Sequence, residues 1–191
     1  MTQSPVENRR RLLKAGLALP ALWLPRVAPG AQPTPACGTQ TSATTAGPFY
    51  TPDSPAKVDF RADDPAGKPL DLSATVLDAQ CRPIRGAVVD LWHANSKGRY
   101  DNDGFRLRGH QAADAQGAVR FSTVLPGNYG GRTRHFHVRI FRPGGGRLLT
   151  TQLYFPDEPA NADDGLFQRE LLLMLDRAEV MQARFAFIVD A

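Results

Sequence analysis

Beyond residue 70 the chain returns repeatedly to one pattern, a short alternating or unbroken apolar run closed by Gly, Pro or Asp. "LSATVLDA" (72–79), "GAVVDLWHA" (86–94) and "GAVRFSTVLPG" (117–127) come first, followed by "RHFHVRIFRPGGG" (134–146), "RLLTTQLYFP" (147–156) and "ARFAFIVDA" (183–191). Runs of this length with such punctuation predict strands, and this many predict an all-β sandwich or barrel. Side chains alternate between the faces of a strand. In the fourth run Phe136, Val138 and Ile140 therefore share a core face, and His135, His137, Arg139 and Phe141 share the other. The next run sorts Leu149, Leu153 and Phe155 from Thr150, Gln152 and Tyr154. If these two strands pair, Gln152 lies on the histidine side. One stretch departs from the pattern: "DDGLFQRELLLMLDR" has helical spacing and an acidic start, which predicts a short helix over 163–177. "RGH" (108–110) reads as a loop, and the Pro-, Thr- and Ser-rich residues 32–46 as an extended tether.

Charge changes this picture only at the N-terminus. The 191 residues carry 23 basic and 19 acidic side chains, a net charge of +4. Residues 1–31 hold Arg9, Arg10, Arg11, Lys14 and Arg26 against Glu7, which leaves 18 of each sign in 32–191. A neutral body gives no electrostatic argument for nucleic acid or an acidic membrane surface. The basic cluster precedes an apolar run, Ala15 to Leu24, that is too short to span a bilayer and stands where a signal peptide would. The order Arg-Arg-x-Leu-Leu-Lys from Arg9 resembles a twin-arginine export signal. The expected organisation is a leader over 1–31, a tether over 32–46 and one domain over 47–191. The expected location is periplasmic or extracellular, reached through export machinery. Two cysteines, Cys37 and Cys81, lie outside the leader, and in an oxidising compartment they are expected to form a disulfide.

Two histidines on one face suggest a metal, but two ligands do not make a site. The bland reading is a polar solvent face. Zinc would ask for further His, Cys or carboxylate ligands. The uncommon residues nearby are tyrosines: Tyr129 in "PGNYGGR" and Tyr100 at the end of "HANSKGRY". Phenolates are hard anionic donors and favour trivalent iron.

The stretches "GPFY" (47–50), "GAVVDLWHANSKGRY" (86–100), "LRGHQAADAQGAVRFSTVLPGNY" (107–129), "GRTRHFHVRI" (131–140) and "TTQLYF" (150–155) follow the order found in intradiol ring-cleavage dioxygenases. These are the catechol and protocatechuate 3,4-dioxygenase type enzymes. The resemblance covers about residues 45–155 and implies an immunoglobulin- or transthyretin-like β-sandwich. It further implies one non-haem Fe(III) per chain, held by Tyr100, Tyr129, His135 and His137. Tyr129 and His137 match the family's axial pair, and Tyr100 and His135 the equatorial pair. By the same resemblance Arg132 and Gln152 fall on active-site positions, and Tyr129 also accepts a substrate proton. "GPFY" borders the family's substrate cavity, which makes Tyr50 a candidate substrate contact together with Arg132. His93 and His110 are expected to be structural, and Trp92 to belong to the core.

The implied reaction opens a catechol-type ring between its two hydroxyl-bearing carbons, using O2 and giving a muconate-type diacid. The implied partners are a small aromatic diol and O2; homo-oligomerisation stays open. The loops on either side of Tyr129 are short, which leaves the ring substituents undetermined. Two rival readings remain at this point: an exported sandwich that binds ligand through an inactive or different-metal site, and a periplasmic copper or zinc carrier using His135 and His137 alone.

Overall fold

The structure, a computed structural model, describes residues 37–191. The expected leader (1–31) and the first part of the expected tether (32–36) lie outside the described residues. Eight strands form two four-stranded sheets. They are β1 (Pro69–Asp78), β2 (Val88–Trp92), β3 (Arg108–Ala112), β4 (Ala118–Val124), β5 (His135–Phe141), β6 (Arg147–Tyr154), β7 (Met174–Asp176) and β8 (Met181–Val189). One sheet has the order β4-β1-β8-β7 and the other β3-β2-β5-β6. All pairings are antiparallel except β1 with β8.

Alternation explains the layering. Leu70, Leu72, Ala74 and Val76 of β1 point into a single apolar core, joined by Phe121 of β4 and Phe187 of β8. The second sheet contributes Leu91, Phe136, Val138, Ile140 and Leu153 to the same core. A β-sandwich is the outcome, as the runs of the sequence predict. On the far face of the second sheet, cross-strand register sets His110, Asp90, Arg139 and Thr150 in one row. Trp92, His137 and Gln152 form the next. Both histidines and Gln152 are nonetheless buried, because the chain before β1 folds back over this face.

That covering segment is the first difference from the sequence reading. Residues 41–45 are no free tether: Thr41 N–H donates to the Ile188 carbonyl (2.9 Å) and Thr44 N–H to that of Thr150 (2.8 Å). Thr151 Oγ1 donates to the Ser42 carbonyl, and Gln152 Nε2 to that of Thr45. The Cys37–Cys81 disulfide is present and ties the start of this strap to the turn after β1.

The expected helix over 163–177 does not form. Among the described residues helical turns are 3-10 only, here Pro159–Ala162 and Arg169–Leu171. Leu171, Leu172 and Leu173 are consecutive and all buried, which one stripe of an α-helix cannot achieve. The 3-10 turn instead ends at Leu171, the backbone is extended at Leu172, and Leu173 N–H bonds to the Tyr154 carbonyl at 2.8 Å. The expected loop at 108–110 is also corrected: it is the start of β3. Gly109 permits this, since a Cβ there would strike the Lys57 carbonyl and the Phe60 ring.

His93 is a core histidine, held by the Ala94 carbonyl at Nδ1 (2.8 Å) and Thr123 Oγ1 at Nε2 (2.7 Å). Burial lowers its pKa to about 4. The native state therefore takes up this proton less readily than the unfolded chain. The associated stability is full above pH 6.5, declines as the pH falls towards 4, and is flat below. Comparing urea unfolding of the metal-free protein with that of His93→Gln, the wild-type advantage should shrink by about 3 kcal/mol between pH 7 and pH 4.

Candidate metal centre

His135 and His137 leave β5 on the same side, and their Nε2 atoms stand 3.1 Å apart. Tyr100, in the connection after β2, brings its hydroxyl to 3.3 Å from His135 Nε2. Tyr129 sits in the turn before β5, which is closed by Arg132 N–H donating to the Tyr129 carbonyl at 2.6 Å. Its ring meets that of Tyr100 edge to face, with centroids 5.4 Å apart. Apolar rings wall the group. Trp92 lies flat against His137 at 5.0 Å. Phe49 stacks on Tyr100 at 4.6 Å and meets Tyr129 edge-on at 5.0 Å. Gly47, in the left-handed region at φ 66°, lets the covering segment approach His137; a Cβ there would lie 3.2 Å from Cε1.

The protonation states follow from the surroundings. His135 Nδ1–H donates to the Thr133 carbonyl at 2.6 Å, so its Nε2 presents a lone pair to the cluster. Burial lowers the His135 pKa to about 4 and that of His137 well below 6.5, which keeps both imidazoles neutral at pH 7. Burial also raises the Tyr100 pKa, so an ionised phenolate there needs a cation against its oxygen.

Among the described residues no three His, Cys, Asp or Glu side chains gather around one point, so a metal here would have to use phenol oxygens. The donor spacing suits one. Metal–ligand bonds of about 2.1 Å place neighbouring ligand atoms about 3 Å apart, close to the separations seen. His137 Nδ1 is buried and has no hydrogen-bond partner. If its proton is on Nε2, Nδ1 is an orphaned acceptor; if on Nδ1, two lone pairs oppose each other at 3.1 Å. A cation between the rings removes the second conflict. Two neutral imidazoles with two ionisable phenols suit a hard trivalent ion.

Beside this group lies a second cluster. Arg132 Nε–H is shared between Asp164 Oδ1 (2.8 Å) and Oδ2 (2.9 Å), and its Nη2 donates to Gln152 Oε1 at 2.6 Å. Tyr154 OH approaches Gln152 Oε1 (2.9 Å) and the Leu166 carbonyl (2.7 Å). One hydroxyl proton cannot serve both fully, and burial raises this phenol to about 12, so it stays protonated. Asp164 is buried, yet the peptide N–H groups of Leu166 and Thr133 and the Arg132 guanidinium outweigh burial and lower its pKa.

The structure thus gathers Tyr100, Tyr129, His135 and His137, with Arg132 and Gln152 alongside. It does not bring Tyr50 to them. The Tyr50 ring packs on the far side of Trp92, 4.8 Å away, under the Arg139 guanidinium at 3.6 Å. It borders a separate cleft of about 410 Å3 with Ser54, Asp90 and His110. Its neighbour Phe49 is the residue that packs against Tyr100 and Tyr129. A cleft of about 540 Å3 also touches Tyr100, but His135, His137, Arg132 and Gln152 do not line it. The sequence reading set Tyr154 on the face of Gln152 without a role and singled out neither Asp164 nor Phe49.

A family model described as dioxygenase matches residues 45–188. The protocatechuate 3,4-dioxygenase beta chain of Burkholderia cepacia is 34% identical over 122 residues, 55% of this chain and 52% of that protein. The catechol 1,2-dioxygenase of Acinetobacter baylyi is 32% identical over 168 residues, 73% of this chain and 54% of that one. The chain thus spans about half the length of these two relatives. Among solved structures, the dioxygenase domain of a dioxygenase–carbohydrate-binding protein fusion from Streptomyces sp. SirexAA-E superposes with a TM-score of 0.76. It shares 40% identity, and the match covers 80% of this chain and 99% of that domain.

Proposed function

The chain belongs to the intradiol ring-cleavage dioxygenase family, and from that membership we propose that it opens catechol-type rings between their two hydroxyl-bearing carbons. The observation that carries this reading is the convergence on His135 Nε2, with His137 Nε2 at 3.1 Å and Tyr100 Oη at 3.3 Å from it. Tyr100, Tyr129, His135 and His137 would hold one non-haem ferric ion. Bound there, the ion would supply Lewis acidity that favours the doubly ionised form of the diol, whose ring is the electron-rich partner for O2.

The protein's own groups do the rest. Tyr129 is followed by Gly130 and Gly131, where an added Cβ would meet nothing within 4 Å, so the turn leaves room for this phenol to be displaced. Its Oη is suited to take a hydroxyl proton from the diol. Tyr100 is fixed by Phe49 and stays as a permanent ligand. Arg132 keeps its Nη1 edge free for negative charge that builds on the substrate, in a site where burial strengthens each such contact. Gln152 acts through Arg132, because its Oε1 is occupied by the guanidinium and Tyr154. Phe49 provides apolar surface beside the two phenols, and Trp92, buried behind His137, keeps water from that side of the site. The product expected is a muconate-type diacid carrying both atoms of O2. The twin-arginine-type leader supports export, with the diol met outside the cytoplasm.

A visible spectrum tests the reading. Iron-loaded protein should be red-brown from tyrosinate-to-Fe(III) charge transfer, shift colour on anaerobic addition of catechol, and bleach to a muconate product in air. Colourless protein that leaves catechol intact would overturn it.

A further inference from the structure

We propose that Asp164 is the positioning residue of the site, fixing the guanidinium of Arg132 and the orientation of His135 through one carboxylate. The proposal rests on the ring-cleaving function above. Asp164 comes from the irregular segment after the 3-10 turn Pro159–Ala162, far in sequence from both residues that it governs. Its side chain is 1% exposed, against 20% for its ion-pair partner Arg132.

Three protein N–H groups fall on this carboxylate. Arg132 Nε–H is shared by both oxygens, Leu166 N–H donates to Oδ1 at 3.0 Å, and Thr133 N–H to Oδ2 at 3.0 Å. Buried and ringed by these donors, the group holds neighbours in place and does not itself meet the diol.

Two consequences follow from those bonds. With Nε bound by Asp164 and Nη2 by Gln152, the guanidinium is held on two sides, and only Nη1 lacks a partner. A charged fork with one open edge is suited to meet a planar diol in a single orientation. The Thr133 backbone provides the second consequence. Its N–H is fixed by Asp164, and its carbonyl, in the next peptide unit, accepts from His135 Nδ1 at 2.6 Å. Releasing that N–H would free rotation about the Thr133 Cα and let the acceptor that sets the His135 tautomer and ring angle shift. Asp164 also offsets the Arg132 charge, which would otherwise weaken cation binding between the imidazoles.

A double-mutant cycle tests this on iron-loaded protein with catechol, using wild type, Asp164→Asn, Arg132→Ala and the double variant. Asn keeps the shape but loses the charge and one acceptor. Asp164→Asn should lower kcat about 10- to 100-fold with KM changed less than about threefold. In the Arg132→Ala background only the share that runs through Thr133 and His135 should remain, so the same change should lower kcat at least about threefold less than it does in wild type. Equal losses in both backgrounds, or no loss in either, would overturn the proposal. If Asp164→Asn fails to fold, Arg132→Lys serves: it keeps the charge but cannot engage Asp164 and Gln152 together. It should lose kcat as Asp164→Asn would, and wild-type turnover in it would refute a positioning role.

A second readout needs no turnover. Exchange of the Arg132 Nε–H with solvent, followed by NMR, should be slow in wild type and at least about tenfold faster in Asp164→Asn. Wild-type protein that exchanges slowly but never cleaves catechol would sink the function and leave the clamp standing. Fast exchange in wild type would sink the clamp.

Discussion

His137→Leu should abolish iron loading and ring cleavage while leaving the metal-free protein at least as stable as wild type. Leucine nearly matches imidazole in volume and can still pack on Trp92, which lies flat against His137 at 5.0 Å. The imidazole contributes little else to the fold, because its Nδ1 is buried without a partner and its Nε2 faces only His135. Removing an unsatisfied buried polar group is neutral or favourable, by about 1 kcal/mol. Its effect on catalysis has the opposite sign. Loss of one of four ligands should lower kcat/KM by more than about a thousandfold, about 4 kcal/mol of transition-state stabilisation. Iron content, the tyrosinate absorption band, turnover and urea unfolding of the apoprotein together check this. Retained iron and activity would remove His137 from the centre. A large drop in apoprotein stability would mean that the histidine is there for packing.

The parts of this site that can be read in the sequence are those fixed by strand alternation. His135 and His137 share a face because they are two residues apart in a strand, and Gln152 joins them because a short Gly-rich turn sets the register of β5 against β6. Other parts depend on where irregular chain comes to rest, and local pattern does not encode that. Phe49 and Tyr50 are adjacent where the covering segment turns at Pro48 and Phe49, and one faces the tyrosines while the other turns away. Nothing in "GPFY" says which. Asp164 lies in a stretch whose leucine spacing and acidic start suit a helix. Leu171 instead closes a 3-10 turn, Leu172 is extended, all three successive leucines are buried, and Asp164 meets Arg132. The strap over 41–45 looked like linker because its anchors are side chains and carbonyls of β6 and β8, more than a hundred residues away.

Arg108 is the clearest case of a residue hidden from sequence, and replacing it should damage fold and site together. It lies at the start of β3 with 1% of its surface exposed, between a strand core and the connection carrying Tyr100. Its Nε donates to the Asp101 carbonyl at 3.1 Å, and Nη1 donates to the Phe49 carbonyl. Arginine stays charged at any working pH even though burial lowers its pKa, so these are charge-assisted bonds in a poorly solvated place. Arg108→Ala removes the donors and leaves a cavity beneath them. Each carbonyl left without a partner costs about 1–3 kcal/mol, and the cavity adds to that. Relief of the buried charge offsets part, so a net loss of about 3 kcal/mol is expected at pH 7 in urea unfolding. The functional consequence follows from what the two carbonyls hold. Phe49 is the ring stacked on Tyr100, and Asp101 is the residue after Tyr100, so both sides of that phenol lose their anchor. Arg108→Ala should therefore bind iron more weakly and shift the tyrosinate band, even at temperatures where it remains folded. His137→Leu separates function from stability; Arg108→Ala should lose both. Wild-type stability in Arg108→Ala would mean that water replaces the guanidinium at both carbonyls. An unchanged tyrosinate band would mean that Tyr100 is held by its own contacts with Phe49 and His135.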